Sequence, residues 1–336
     1  MPVVSVIVLA WNSGDYLRIS LGSMLDQTMG DLEVLLVDNG STDGAVERAL
    51  AARPDPRVRV LRQETNLGVV GGTRAAIAVA RSPWIAIMDS DDWSHPMRLE
   101  LQLQAARADP ELAVIGTGAR WMDEAGKPGE AYPMYFEPHE IAAYVPFNMP
   151  VLHPTLMFRR AVLEEISYRP GVDICADYDL VSRVVERHRI GVVSLPLLHY
   201  RRHAASSTIS RATYSQAGVC AIRLAIARRR AGRTEDFAGL MASAQRWREP
   251  GLPVAAVYRH YARQAADEGF PLLAAFHAAL ACRAEGGFGN QLRYLRHLAA
   301  AFAADRTAWK EGLGGIGKGP FWMLLRRAGF PPFPRY

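Results

Sequence analysis

Short apolar runs recur through the first hundred residues and alternate with stretches of helical spacing. Ser5–Ala10 (SVIVLA), Leu32–Val37 (LEVLLV) and Trp84–Met88 (WIAIM) carry almost no polar positions, the pattern of strands covered on both faces. Val58–Leu61 predicts a further strand. Tyr16–Leu25 sets Leu17, Leu21, Met24 and Leu25 at helical spacing, and Gly72–Ala80 predicts a second helix. Asn39–Gly44 reads as a turn leading into a helix, with Ser41 or Thr42 as N-cap. This alternation predicts a parallel α/β sheet, whose ligands bind beyond the carboxyl ends of the strands. Asp38 and Asp89-Ser90-Asp91-Asp92 stand at those ends.

Between about 112 and 200 the pattern predicts strands at Ala113–Gly116, Thr155–Phe158 and Gly191–Leu195, and helices at Arg160–Ile166 and Tyr178–His188. From about 211 onward the spacing is helical, as in Leu272, Leu273, Phe276 and Leu280, then Leu292, Leu295 and Leu298. The chain therefore divides into an α/β domain over 1–210 and a helical, Ala/Arg-rich region over 211–336. Gly312–Gly319 reads as a linker before a short basic and aromatic segment, Phe321–Arg327.

Composition narrows the class. With 49% hydrophobic and 22% charged residues over 336 positions, the chain is globular and long enough for two domains. The net charge of +5 hides a split. Residues 1–200 hold 18 Lys+Arg against 26 Asp+Glu, net −8, and residues 201–336 hold 21 against 8, net +13. An acidic half suits a metal; a basic half suits an anionic membrane surface, supported by Arg228-Arg229-Arg230 and Phe321–Arg327, or solvated helix faces. Nothing points to nucleic acid. Three cysteines without a CxxC (Cys175, Cys220, Cys282) fit a reducing compartment. The start has no basic leader region, and no apolar run is long enough to cross a membrane. A cytoplasmic location follows as the expectation, peripheral to the inner face of the membrane if the basic end binds lipid.

Three carboxylates crowded at a strand end repel one another unless a cation sits among them, and Mg²⁺ or Mn²⁺ takes such oxygen ligands and shares them with phosphates. A solvated acidic loop or a helix N-cap would use the same residues. A carboxylate at Asp38, which a buried strand does not need, could accept the imide N–H of a uracil or thymine base.

Taken in order, these segments resemble one family. They are Val4–Asn12, Leu17, Ser23, Gln27-Thr28, Glu33-Val34, Val37–Asp43, Asn66-Leu67-Gly68 with Gly72-Thr73-Arg74, Met88–Trp93, His153-Pro154-Thr155 with Met157-Phe158-Arg159, Asp177-Tyr178-Asp179-Leu180, and Tyr200-Arg201-Arg202-His203. Together they resemble the family-2 inverting glycosyltransferases of the GT-A fold, of the bacterial non-processive type. The resemblance covers roughly residues 3–208. It implies a Rossmann-like, mostly parallel sheet with flanking helices, followed by the helical region. It also implies a nucleoside-diphosphate-sugar donor, a divalent cofactor (Mn²⁺ or Mg²⁺) and a glycan, lipid-linked or protein acceptor.

Carried over by position, the resemblance puts Ala10, Asn12, Asp38, Arg74, Asp89 and Ser90 at the donor nucleotide. It assigns Asp89, Asp91 and His203 to the metal and Asp177 to general base catalysis. Trp93, His153 and Arg201 fall near the diphosphate or acceptor. Asp179 with Arg183 is an i,i+4 pair of structural kind. Four positions depart from the family pattern: Ala176 in place of Glu, Asn39 of Asp, Ala75 of Asn and Trp11 of Tyr. Gln245-Arg246-Trp247 lacks the QxxRW spacing of processive synthases, so single-sugar transfer is expected. Two other classes stay open. A sugar-nucleotide pyrophosphorylase would carry a Gly-rich loop after the first strand, which Ala10–Gly14 does not match. A non-catalytic nucleotide-sugar-binding module has Ala176 as its support.

Overall fold

The computed structural model describes residues 2–132, 136–172, 174–204, 206, 211–249 and 251–285. They form two compact units, one of residues 1–145 and 149–203, the other of 146–148 with the chain from 204 onward.

The first unit opens with β1 (Val4–Ala10), α1 (Tyr16–Leu25), β2 (Leu32–Asp38), α2 (Ala45–Ala52), β3 (Val58–Arg62), α3 (Gly68–Val79) and β4 (Trp84–Asp89). There follow β5 (Trp93–Ser94), α4 (Arg98–Ala108), β6 (Leu112–Met122), β7 (Pro128–Tyr132) and α5 (Pro138–Tyr144). A 3-10 turn at His153–Thr155 leads into β8 (Met157–Arg159), α6 (Arg160–Glu165), α7 (Ala176–Val184) and β9 (Arg189–Arg201).

One mixed sheet joins these strands in the order β3-β2-β1-β4-β8-β6-β9-β5, with β7 beside β6. The first four run parallel, each reached through a crossover helix. β8 then enters antiparallel between β4 and β6, because the chain reaches it from the carboxyl edge through the 3-10 turn. β6 and β9 pair in parallel. The parallel expectation thus describes the β3-β2-β1-β4 half of the sheet, and the other half is mixed.

Alternate side chains of β1 (Val4, Val6, Val8) and β2 (Val34, Leu36) pack with Leu17, Leu21 and Met24 of α1 in one buried cluster. Each such side chain stabilises the fold by roughly 2 kcal/mol. A carboxylate inside this sheet is fully satisfied. Glu33 accepts from the Ser5 hydroxyl at 2.6 Å and the Arg81 N–H at 2.8 Å through Oε1, and from Arg59 at 2.7 Å through Oε2.

β6 and β9 run longer than their apolar cores predict. Pro196 lies within β9, and the register shifts on either side of its partner Gly118. A Cβ at Gly118 would stand 2.7 Å from the Ser194 carbonyl oxygen, so only glycine lets the strands approach there.

In the second unit, α8 (Ala212–Arg230), α9 (Phe237–Gln245), α10 (Val254–Asp267) and α11 (Pro271–Glu285) are all helical. α8 is buried along most of its length, through Tyr214, Ala217, Cys220, Ile222, Leu224 and Ile226. Arg228 is paired with Glu268 at 2.7 Å and Arg229 with Glu235. These two guanidiniums are therefore paired inside the unit. Leu292, Leu295, Leu298, Gly312–Gly319 and Phe321–Arg327 lie outside the described residues, as does the Cys282 side chain. Among the described residues no helix is long and apolar enough to cross a membrane.

Candidate functional site

The carboxyl ends of β1, β2 and β4 lie side by side, with Ala10 opposite Asp38 and Leu9 opposite Asp89. Side-chain hydrogen bonds lace the loops that leave them. Asn12, in the left-handed region at φ 49°, donates its N–H to Ser41 Oγ and accepts the Thr42 N–H at 2.8 Å. The Ser13 and Ser90 hydroxyls meet at 2.7 Å. Asp38 accepts the Ser41 N–H at 3.0 Å through one oxygen and Arg62 at 2.9 Å through the other. Asn39 donates to Asn66 and the Gly68 carbonyl and accepts the Leu67 N–H. A carboxylate could not make those two donations, so the departure to Asn39 has a structural reason. Ala10, Asn12, Asp38, Asp89 and Ser90 are thus brought to one edge.

The acidic loop is the electrostatic centre. One ligand oxygen from each of Asp89, Asp91 and Asp92 lies within 4.8 Å of the other two. Burial, then the charges of Asp91 and Asp177, push Asp89 up to about 7. Burial, then the charges of Asp89 and Asp91, raise Asp92 well above the carboxylate range. Asp92 accepts the Arg201 N–H at 2.8 Å through Oδ1, while its buried Oδ2 has no partner. Beneath the loop Arg98 is fully buried and donates to the Ile87 carbonyl at 2.9 Å and to Gln102. Burial lowers Arg98 to about 10 against the pull of Asp92 and Asp89, so it stays cationic at neutral pH. The raised values of Asp89 and Asp92 record a mutual repulsion that Arg98 does not offset. An orphaned carboxylate oxygen within an all-oxygen donor set fits a hard divalent cation.

Two residues from the end of β9 flank this loop. His203 Nε2 is 2.9 Å from Asp91 Oδ2. Arg201, 2% exposed, donates to the carbonyls of Asp91 at 2.7 Å and Glu124 at 2.9 Å and lies over the Tyr16 ring. Its guanidinium braces the loop through these backbone carbonyls. Trp93, in β5, stacks its ring 4.6 Å from that of His199.

Asp177 is the second residue of α7. It is half-buried, and its carboxylate has no hydrogen-bond or ion-pair partner among the described residues. Its charge reaches Asp89, His153 and Tyr168, so it shares the space in front of the acidic loop. Asp179, two residues on, is buried and held by Arg183 at 2.7 Å, a structural brace. His153 Nε2 lies 2.7 Å from the Tyr168 hydroxyl. Arg74 donates to the Tyr168 carbonyl at 2.7 Å and the Ser167 hydroxyl at 3.1 Å.

Sequence reasoning gave no role to four residues here. Asp92 was visible only as part of the acidic run. Arg98 and Gln102 are buried on α4 beside Leu99, Leu103 and Ala106, and no motif marked them. Tyr168 follows α6 with no motif around it.

Comparison with known proteins agrees with this geometry. Residues 5–167 match the profile of Glycosyl transferase family 2. The O-antigen biosynthesis glycosyltransferase WbnJ of Escherichia coli is 30% identical over 230 residues, 66% of this chain and 89% of WbnJ. Across three relatives the matched part amounts to 62%, 74% and 89% of their own lengths. The crystal structure of S. aureus TarS 1–349 in complex with UDP-GlcNAc superposes with a TM-score of 0.60 at 19% identity, covering 92% of each chain. The mannosyltransferase PcManGT from Pyrobaculum calidifontis, in complex with GDP-Man and Mn²⁺, superposes with a TM-score of 0.52 at 18% identity, covering 91% of this chain and 86% of its own. These two likenesses establish the GT-A fold.

Proposed function

The chain belongs to glycosyl transferase family 2, and on that premise we propose that it moves one sugar from a nucleoside-diphosphate sugar to an acceptor hydroxyl, with inversion at the anomeric carbon. The observation that carries this reading is an unpartnered carboxylate, Asp177, within electrostatic reach of a crowded acidic loop that has an orphaned oxygen of its own.

Asp89, Asp91 and Asp92 would hold a divalent cation, Mn²⁺ or Mg²⁺, which supplies positive charge to the departing diphosphate. His203 orients Asp91, and Arg201 and Arg98 fix the loop that carries it. Asp177 takes the proton from the attacking hydroxyl, a task for a carboxylate that nothing else neutralises. A single displacement leaves no covalent enzyme intermediate, so an α-linked donor gives a β-linked product. Asp38 supports a uracil or thymine base, since the second lone pairs of its oxygens can accept an imide N–H. The UDP-GlcNAc and GDP-Man in the two neighbours support a nucleotide-sugar donor, and the Mn²⁺ in one of them supports the cation. The O-antigen name of one relative supports a cell-surface polysaccharide or lipopolysaccharide acceptor.

In this reading residues 1–210 are the catalytic domain, and 211–336 meet the acceptor or an anionic membrane face on the cytoplasmic side. A donor screen tests it. UDP-, dTDP- and GDP-sugars are assayed for nucleoside-diphosphate release with Mn²⁺ or Mg²⁺ and with EDTA. Cation-dependent release from a uridine or thymidine donor is expected; release of pyrophosphate, or no turnover with any donor, overturns it.

A further inference from the structure

The Tyr168 hydroxyl is buried, and among the described residues its one hydrogen-bond partner is His153 Nε2, at 2.7 Å. Burial and the charges of Asp177 and Asp89 raise the phenol, so it keeps its proton. That proton needs an acceptor, because a buried hydroxyl left without one costs about 1–3 kcal/mol. Nε2 is the acceptor at hand. Burial also lowers His153 below the usual histidine value, against the pull of Asp177, so the ring is neutral. A neutral imidazole that accepts at Nε2 carries its hydrogen on Nδ1. Tyr168 therefore fixes the tautomer of His153. The position of Tyr168 is itself fixed: Arg74 holds its carbonyl at 2.7 Å, and Arg183 holds the Ser167 carbonyl at 2.9 Å.

His153 is partly exposed, and its Nδ1 has no hydrogen-bond partner among the described residues. His153 and Tyr168 both lie within reach of the Asp177 charge. We propose that the Nδ1–H of His153, set by the Tyr168 hydroxyl, donates to the oxygen of the acceptor hydroxyl and turns its O–H toward Asp177. This rests on the reading of Asp177 as the base. No proton leaves His153 in the step. The acceptor O–H proton passes to Asp177 as the new glycosidic bond forms and the sugar–diphosphate bond breaks. His153 is thus a substrate-positioning residue, and Tyr168 and Arg74 position it in turn.

Two measurements test this. The first is ¹⁵N NMR of the histidine ring in the full-length protein at neutral pH, which needs no substrate. The expected pattern has the proton on Nδ1, and Tyr168→Phe moves it to Nε2. A proton on Nε2 in the unaltered protein overturns the proposal. The second uses glycerol as the probe hydroxyl with the donor chosen by the screen above. His153→Asn, whose amide nitrogen replaces Nδ1–H, is expected to keep most of kcat/KM for glycerol. His153→Leu is expected to lose about 10- to 100-fold with donor KM unchanged. Equal loss in both variants, or a loss confined to donor KM, overturns it. If Asp177→Asn still transfers sugar, the base reading fails, while the ring tautomer and the rescue by asparagine are read independently of that result.

Discussion

His203 Nε2 lies 2.9 Å from Asp91 Oδ2, although the two residues stand 112 positions apart. One leaves the end of β9 and the other the end of β4, so the contact ties the last strand of the first unit to its acidic loop. A histidine that orients a ligating carboxylate tunes metal affinity by about 10- to 100-fold. His203→Ala should therefore raise the Mn²⁺ concentration needed for half-maximal nucleoside-diphosphate release by about that factor. Titration of activity with Mn²⁺ checks it, and an unchanged midpoint would remove His203 from the site.

Crowding in the acidic loop has a pH signature. Asp89 titrates at about 7 in the cation-free fold and at the ordinary carboxylate value when unfolded. Between those values the folded protein binds more protons, so stability falls as pH rises toward 7. Thermal melts in EDTA from pH 5 to 8 should show this decline. Mn²⁺ should flatten it by neutralising the carboxylates, and Asp89→Asn should flatten it without metal.

Glu33 runs the opposite way. Burial works to raise it, but the Ser5 hydroxyl, the Arg81 N–H and Arg59 together hold it below the usual value. Its contribution is present above the unfolded pKa and is lost as pH falls through the lower folded one. Glu33→Ala leaves the Ser5 hydroxyl and the Arg81 N–H without their acceptor and should cost about 1–3 kcal/mol in denaturant unfolding at neutral pH.

The two carboxylates at the start of α7 should separate cleanly. Asp179 is buried against Arg183, so Asp179→Ala should destabilise by about 3–5 kcal/mol. Asp177→Ala removes a carboxylate without a partner and should leave the unfolding midpoint unchanged. Chemical denaturation of both variants side by side reads the difference.

Much of this architecture was legible from periodicity. The helix over Tyr16–Leu25 follows from the spacing of one apolar face, and the apolar cores of β1, β2 and β4 from runs buried on both faces. On α4 the burial of Arg98 and Gln102 beside Leu99, Leu103 and Ala106 was not legible, since polar side chains become core residues only through hydrogen bonds made at long range. β9 was cut short at Pro196, which a strand tolerates here only beside a bulge and a glycine. At the site, the acidic loop stood out because its carboxylates are adjacent in sequence. The His153–Tyr168 pair and the turn of Arg74 toward Ser167 depend on long-range placement, which neither spacing nor resemblance carries.

The most direct measurement is sugar transfer by Asp177→Asn, made beside donor binding by the same protein with Mn²⁺ present. Donor affinity should match that of the unaltered enzyme, and transfer should fall by about 10²- to 10⁴-fold, the usual worth of a positioned base. Transfer at the original rate would contradict the assignment of the proton to Asp177.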